Sequence, residues 1–241
     1  TGAVALNTTG STGHATVVDA SGLNLAASTV GGNLSATATT GNIGDSGNLT
    51  ITGTSTFITG ASNATIILDR DNAFTGAVGV NTTGSRAHAK IKNGNTALNI
   101  AASSVGGNLT LRGSNLSGIT DSGTVTVAGN LDAKTKTNNG VINLDTLQVG
   151  GTVRLETHGT GNATVVNATD LKFYKLTVRG DLSATATTGN MEDSGVLKIT
   201  GTSSFTTSAT DADITLNNAN NAFTGAVTLN TTGSSGNATI D

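Results

Sequence analysis

Apolar residues recur along this chain in short runs broken by small polar ones, as in Val4-Ala5-Leu6, Leu23-Asn24-Leu25, Leu49-Thr50-Ile51 and Ile66-Ile67-Leu68. Successive side chains on a strand point to opposite faces, so a period of two predicts β-strands that bury one face. The runs are three to six residues long. Clusters of Gly, Asn, Ser and Asp separate them, residues that tolerate left-handed backbone and bond to their own turns. No stretch sustains the i, i+3, i+4, i+7 spacing of an amphipathic helix.

The runs are themselves repeated. TGAVALNTTGS at 1–11 returns as TGAVGVNTTGS at 75–85 and TGAVTLNTTGS at 224–234, with a degenerate copy, GGTVRLETHGT, at 150–160. Val4, Val78, Val153 and Val227 are then equivalent, with steps of 74, 75 and 74 residues. GGNL ends at Leu34 and Leu109 and RGDL at Leu182, while DSG starts at Asp45, Asp121 and Asp193. The chain reads as one repetitive segment, with copies at about 1–74, 75–149 and 150–223 and the start of a fourth at 224–241. It begins and ends inside a repeat, so the expectation is a piece of a longer polypeptide.

Regular short strands suit a sandwich, a barrel, a propeller or a solenoid. Composition chooses among them. Of 241 residues, charged ones make up 11% and aromatic ones 2%; proline, cysteine and tryptophan are absent, and mean hydropathy is 0.00. Slim aliphatics fill a thin core and not a thick one. Proline would remove amide donors that neighbouring coils need. The fold predicted is all-β, a right-handed parallel β-helix (β-solenoid) of ~74-residue repeats, each of three or four coils of about 18–25 residues. At ~4.8 Å per coil the rod would be about 50–60 Å long. A propeller is the alternative, although its blades would want more aromatics. A formal net charge of −3 gives no reason to expect nucleic acid or an anionic membrane as partner. Absence of cysteine fits a secreted protein that needs no disulfides.

GNLTITGTSTF at 47–57, NATIIL at 63–68 and DNAFTGAVGVNTTGS at 71–85 resemble the repeats of filamentous-haemagglutinin-like exoproteins. These are large bacterial adhesins exported by two-partner secretion, with shafts that are right-handed β-helices. The texture covers essentially the whole chain, and the family's N-terminal secretion domain is not recognisable in it. The resemblance implies a structural shaft or stalk of a bacterial cell-surface or secreted adhesin, located extracellularly, with an outer-membrane secretion partner. A host or cell-surface glycan or protein is the implied partner of attachment.

Candidate chemistry is sparse, and neither catalytic, cofactor-binding nor metal-binding residues are expected; the chain reads as a non-enzyme without cofactors. Asp69 and Asp71 stand two apart, as an acid–base pair or calcium site would require, but the last copy has Asn218 and Asn220 there, so solvated turn residues are expected, as for Asp211 and Asp213. Asp45, Asp121 and Asp193 are read as Asx-type turns. His14 and His88 occupy equivalent places and His158 does not; all are expected to be exposed. No Ser-His-Asp arrangement can be assembled.

Arg86, Lys90 and Lys92 alternate on one strand, and Lys172, Lys175 and Arg179 form a looser group around Phe173 and Tyr174. Either could touch an acidic glycan or a protein, with a solvated face that discourages edge association as the simpler reading. The stretch LKFYKL at 171–176 is the least repeat-like and the first place to look for a contact. Asn-x-Ser/Thr triplets at Asn7, Asn63, Asn81, Asn162, Asn167, Asn230 and Asn237 follow from composition, and intact mass tests for glycosylation. Besides the shaft, three functions compete: an enzyme on a β-helix, an ice- or glycan-binding array suggested by Thr37–Thr39 and Thr185–Thr187, and an end-to-end self-assembling filament.

Overall fold

The computed structural model describes residues 2–94, 96–114, 116–136 and 139–241; Thr1, where the first copy begins, lies outside them. Among the described residues every regular element is a β-strand, with no helix, and the chain winds as a β-solenoid of about eleven turns. Neighbouring strands are parallel and build two sheets, here called sheet 1 (16 strands) and sheet 2 (13 strands). Successive passages through sheet 2 begin at Ala15, Leu34, Ser55, Val78, Leu98, Ile119, Ile142, Ala163, Leu182, Ser203 and Val227, which makes the coils 19 to 24 residues long.

The ~74-residue repeat does not contain a whole number of these coils. Ala15–Asp19 and Ala163–Asn167 are strands of sheet 2, yet the equivalent Ala89–Asn93 of the middle copy belongs to sheet 1. Leu34–Ala38, Leu109–Gly113 and Leu182–Ala186 alternate in the same way, and so do Val78–Thr83, Thr152–Glu156 and Val227–Thr232. Seven coils separate Ala15 from Ala163. One repeat is therefore three and a half coils, between the three and four expected, and successive copies face opposite ways. At ~4.8 Å per coil each copy advances about 17 Å while turning half-way round the axis.

Both sheets accept the same sequence because both ask for the same alternation. Leu34–Ala38 and Leu109–Gly113 each bury their first, third and fifth residues. Packing across coils conserves volume. Ala36 lies beside Phe57 and Ala184 beside Phe205, whereas the middle copy sets Leu111 beside Ala133. Phe57 meets Phe74 edge-on at 6.0 Å, and Phe205 meets Phe223 at 5.9 Å. Where Ala133 replaces the first ring, Val149 stands where Phe74 and Phe223 do. Trading bulk between adjacent coils keeps the core filled with no change of backbone.

Corners are where parallel ladders run out of partners, and polar side chains supply them. Asn93 is fully buried; its Oδ1 accepts from the Phe74 amide at 2.9 Å, and its Nδ2 donates to the carbonyls of Phe74, Thr96 and Ala97. Asn167 serves Val149 in the same way, and Asn72 accepts from the Leu49 amide at 2.7 Å. Buried Thr82, Thr135, Thr157 and Thr207 each donate their hydroxyl to a carbonyl four or five residues on.

Candidate functional site

The carboxylates that stood out in the sequence are engaged between coils. Asp69 is ion-paired with Lys90 at 2.9 Å and Asp71 with Lys92 at 2.8 Å. The hydrogen bond from each lysine is the main cause holding each carboxyl below its usual range. Each carboxylate thus serves its own lysine. Asp211 adopts φ 62° and accepts from the Ser235 amide, which lowers its pKa, and Asp213 accepts from the Asn237 amide.

Asp45, Asp121 and Asp193 differ from the local turns expected. Asp45 accepts from the amides of Asp69 and Arg70 and from Asn72 Nδ2; Asp121 accepts from the amides of Asp145 and Thr146; Asp193 accepts from the amide of Asn217. The recurring DSG motif is a clamp on the next coil. His14 and His88 are also ladder members. Nδ1 of His14 accepts from the Asn33 amide and Nδ1 of His88 from the Asn108 amide, both at 2.9 Å, which specifies the Nε2–H tautomer. The line continues as Asn108 accepts from the Asn130 amide, and Asn130 from the Thr152 amide. His14 is exposed, as expected, while His88 and His158 are half-buried. Asn167, one of the glycosylation triplets, is fully buried.

The feature with chemical potential lies on the outer face of sheet 1. Lys92, Arg112, Lys134 and Glu156 stand opposite one another on successive strands, and Lys90, Thr110, Asp132, Arg154 and Lys175 form the row beside them. Neighbouring strands are ~4.8 Å apart, so three cations in line would repel one another without counter-charges. Those counter-charges are present. Arg112 and Asp132 pair through two nitrogen–oxygen contacts of 2.7 and 3.2 Å, and Arg154 reaches the same carboxylate at 3.2 Å. Glu156 receives Lys134 at 2.6 Å and Arg154 at 3.0 Å. Burial opposes ionisation of Glu156, but the Lys134 hydrogen bond and the charges of Lys134, Arg154 and His158 outweigh it and lower its pKa.

Between these side chains runs a groove of about 310 Å³, lined by Lys92, Arg112, Ser114, Lys134, Lys136 and Arg154. Lys136 is exposed and, among the described residues, makes no ion pair. Five cations face three carboxylates, Asp71, Asp132 and Glu156, so the groove carries a local excess of positive charge on a chain of net charge −3. A larger hollow of about 420 Å³ includes Asn24, Gly44 and Ile67, and its only ionisable groups are Asp45 and Asp69, already engaged. No group of three His, Asp or Glu suited to a metal occurs among the described residues.

The repeat supplies its own control for this face. Lys90 and Lys92 occupy the positions of Thr16 and Val18 in the preceding copy and of Thr164 and Val166 in the following one. Arg112 corresponds to Thr37 and Thr185; Asp132 and Lys134 to Thr56 and Ile58 and to Ser204 and Thr206; Arg154 and Glu156 to Gly79 and Asn81 and to Thr228 and Asn230. All the neutral equivalents lie on sheet 2. The coil needs no charge at these positions, and charge appears where the half-turn of the repeat brings them to sheet 1. Copy three continues that sheet with Lys172, 3.5 Å from Glu192.

The structure joins Lys90 and Lys92 to Lys172 and Lys175 through residues that sequence reading passed over: Arg112, Asp132, Lys134, Arg154 and Glu156. The available signal was spacing, since Lys92, Arg112, Lys134 and Glu156 follow one another at 20, 22 and 22 residues. Arg86 and Arg179 sit outside the strands of this face. Tyr174 is 58% exposed beside Lys175, at the register shift of Leu171–Val178.

Compared with known sequences, residues 12–81, 87–156 and 160–230 match a family of repeats of unknown function (DUF5649). The chain belongs to that family. Its matched units recur with the same period as the internal repeats but start about eleven residues later than the copies drawn at 1–74, 75–149 and 150–223. No curated protein and no solved structure matches the chain.

Proposed function

We propose that this member of the repeat family is a structural module, a segment of the stiff shaft of an elongated bacterial cell-surface or secreted adhesin. One observation carries the reading: a single core runs without interruption through about eleven turns, and neighbouring coils are joined by parallel backbone ladders and by side chains clamped onto the next coil. In such an array stability is close to a sum of coil and interface terms, so length can change by duplication with the cross-section unchanged. Bending would have to open ladders along one side, which gives the rod its stiffness. Likeness to filamentous-haemagglutinin-like shafts supports placing the rod outside the cell, where it would hold a binding region at a distance.

Small-angle scattering and electron microscopy of the purified segment test this reading. The expected particle is a rod whose length is about 50–60 Å, eleven or so coils at ~4.8 Å, and whose long axis grows in proportion when further copies are appended. Added copies that collapse back on the rod, or that leave its maximum dimension unchanged, would refute a shaft.

A further inference from the structure

We propose that the groove on sheet 1 between Lys92, Arg112, Lys134, Lys136 and Arg154 binds a linear acidic polysaccharide, a chain bearing sulfate or carboxylate groups, laid across the strands along the rod axis. The inference rests on the fold and on this face alone, and stands whether or not the molecule serves as a shaft.

The groove's cations are spaced by the scaffold. Lys92, Arg112 and Lys134 sit in one register row on successive strands, ~4.8 Å apart, so a polymer with regularly placed anionic groups meets a regular line of donors. Holding like charges in a row costs stability, and the other two copies show that neutral Val18, Thr37 and Ile58, or Val166, Thr185 and Thr206, serve the coil at the same positions. The charges are thus surplus to folding. Lys136 points the same way, because it lines the groove and, among the described residues, is held in no ion pair, acting on Asp71 only at longer range. Arg112 and Arg154 present planar guanidinium groups to oxyanions, held in place by Asp132 and Glu156.

Polysaccharide is favoured over nucleic acid by what lies between the cations. Asp132 and Glu156 repel a continuous phosphate backbone but accept hydrogen bonds from sugar hydroxyls, and Thr110 adds a hydroxyl partner. The six residues lining the groove include no aromatic ring on which bases would stack.

The test uses immobilised dextran sulfate and polygalacturonate, with neutral dextran and duplex DNA as competitors. The variant K92V/R112T/K134T installs residues that the repeat itself carries at those positions. R86Q/R179Q removes two positive charges that lie outside the strands of this face, to be compared per charge removed. Thermal unfolding and the far-ultraviolet β-signal establish that both variants fold. The expected result is salt-sensitive binding of the unaltered protein to one or both polymers, weakened about tenfold or more by the groove variant and little by the control. Retention on only one polymer would tell sulfate from carboxylate recognition. Neutral dextran should not compete, and DNA should compete far less than the acidic polysaccharides. No binding to either polymer, equal weakening by both variants, or equal competition by DNA would overturn the proposal.

Discussion

Single residues do two separable jobs in this coil: they close the backbone at the corners, and they set the charge of the outer face. Asn93 belongs to the first class, since it is fully buried and satisfies both the amide and the carbonyl of Phe74. Asn93→Ala would leave the Phe74 amide unpaired in the interior, while the carbonyl keeps the Thr96 hydroxyl, an expected loss of about 1–3 kcal/mol. The loss should appear in hydrogen exchange as faster opening around Phe74, because stability in a solenoid is local. His88→Ala removes a single acceptor at a half-exposed corner and should cost only about 1 kcal/mol. Asp69, Asp71 and Glu156 belong to the second class. Their pKa values are depressed in the folded protein, so the stability they contribute is fully present above the unfolded carboxylate pKa of ~4 and is lost as pH falls through the lower folded values. Unfolding midpoints should fall as pH drops below about 4, and K90T/K92V should make that fall shallower. An identical acid profile for the variant would show that these pairs add nothing.

At the scale of elements, the instructive unit is a strand together with its neighbour in the next coil. Phe57 lies beside Ala36, and the middle copy fills the same space with Leu111 beside Ala133. Phe57→Ala should therefore cost about 3–5 kcal/mol, and adding Ala36→Leu should return at least about 1 kcal/mol by rebuilding the middle copy's arrangement. A double-mutant cycle by urea unfolding measures that coupling; additive effects would mean that the two copies pack independently of this exchange. Such exchanges also mark what the sequence could and could not tell. Strand identity was legible, because Leu23-Asn24-Leu25 and Leu49-Thr50-Ile51 state the period of two within three residues. The solenoid was legible from the repeat and the thin aliphatic composition. Pairing was legible only as a range: Lys92 meets Arg112 twenty residues away and Asp45 bonds the amide of Asp69 twenty-four away, separations that match the expected coil length but do not say which residue within that range is the partner. Reading Asp45, Asp121 and Asp193 as local turns was the natural error, since an aspartate before Ser-Gly satisfies the local rule equally well.

The whole molecule turns on the half-integral repeat. Because each copy spans three and a half coils, any feature written once per copy alternates between the two broad faces, and identical faces recur only after two copies. A basic strip that starts in the middle copy at Lys90 and runs past Arg154 thus occupies one side of the rod while the hydroxyl-rich equivalents of its residues occupy the other, so one repeat sequence yields two chemically different surfaces. The geometry is measurable, since the chain has no native cysteine. Spin labels at Thr16→Cys and Thr164→Cys, equivalent residues two copies apart, should lie on the same face at about 34 Å, seven coils of ~4.8 Å. Three whole coils per copy would place them at about 29 Å and four at about 38 Å. Pairing Thr16→Cys with Lys90→Cys supplies the complementary distance. Those labels should be separated by about 17 Å along the axis and additionally by the ~10 Å between sheets, and only the label at position 90 should be quenched by an anionic reagent drawn to the groove. Equal quenching at both positions would mean that the two faces do not differ in charge, and the division of labour between them would fall.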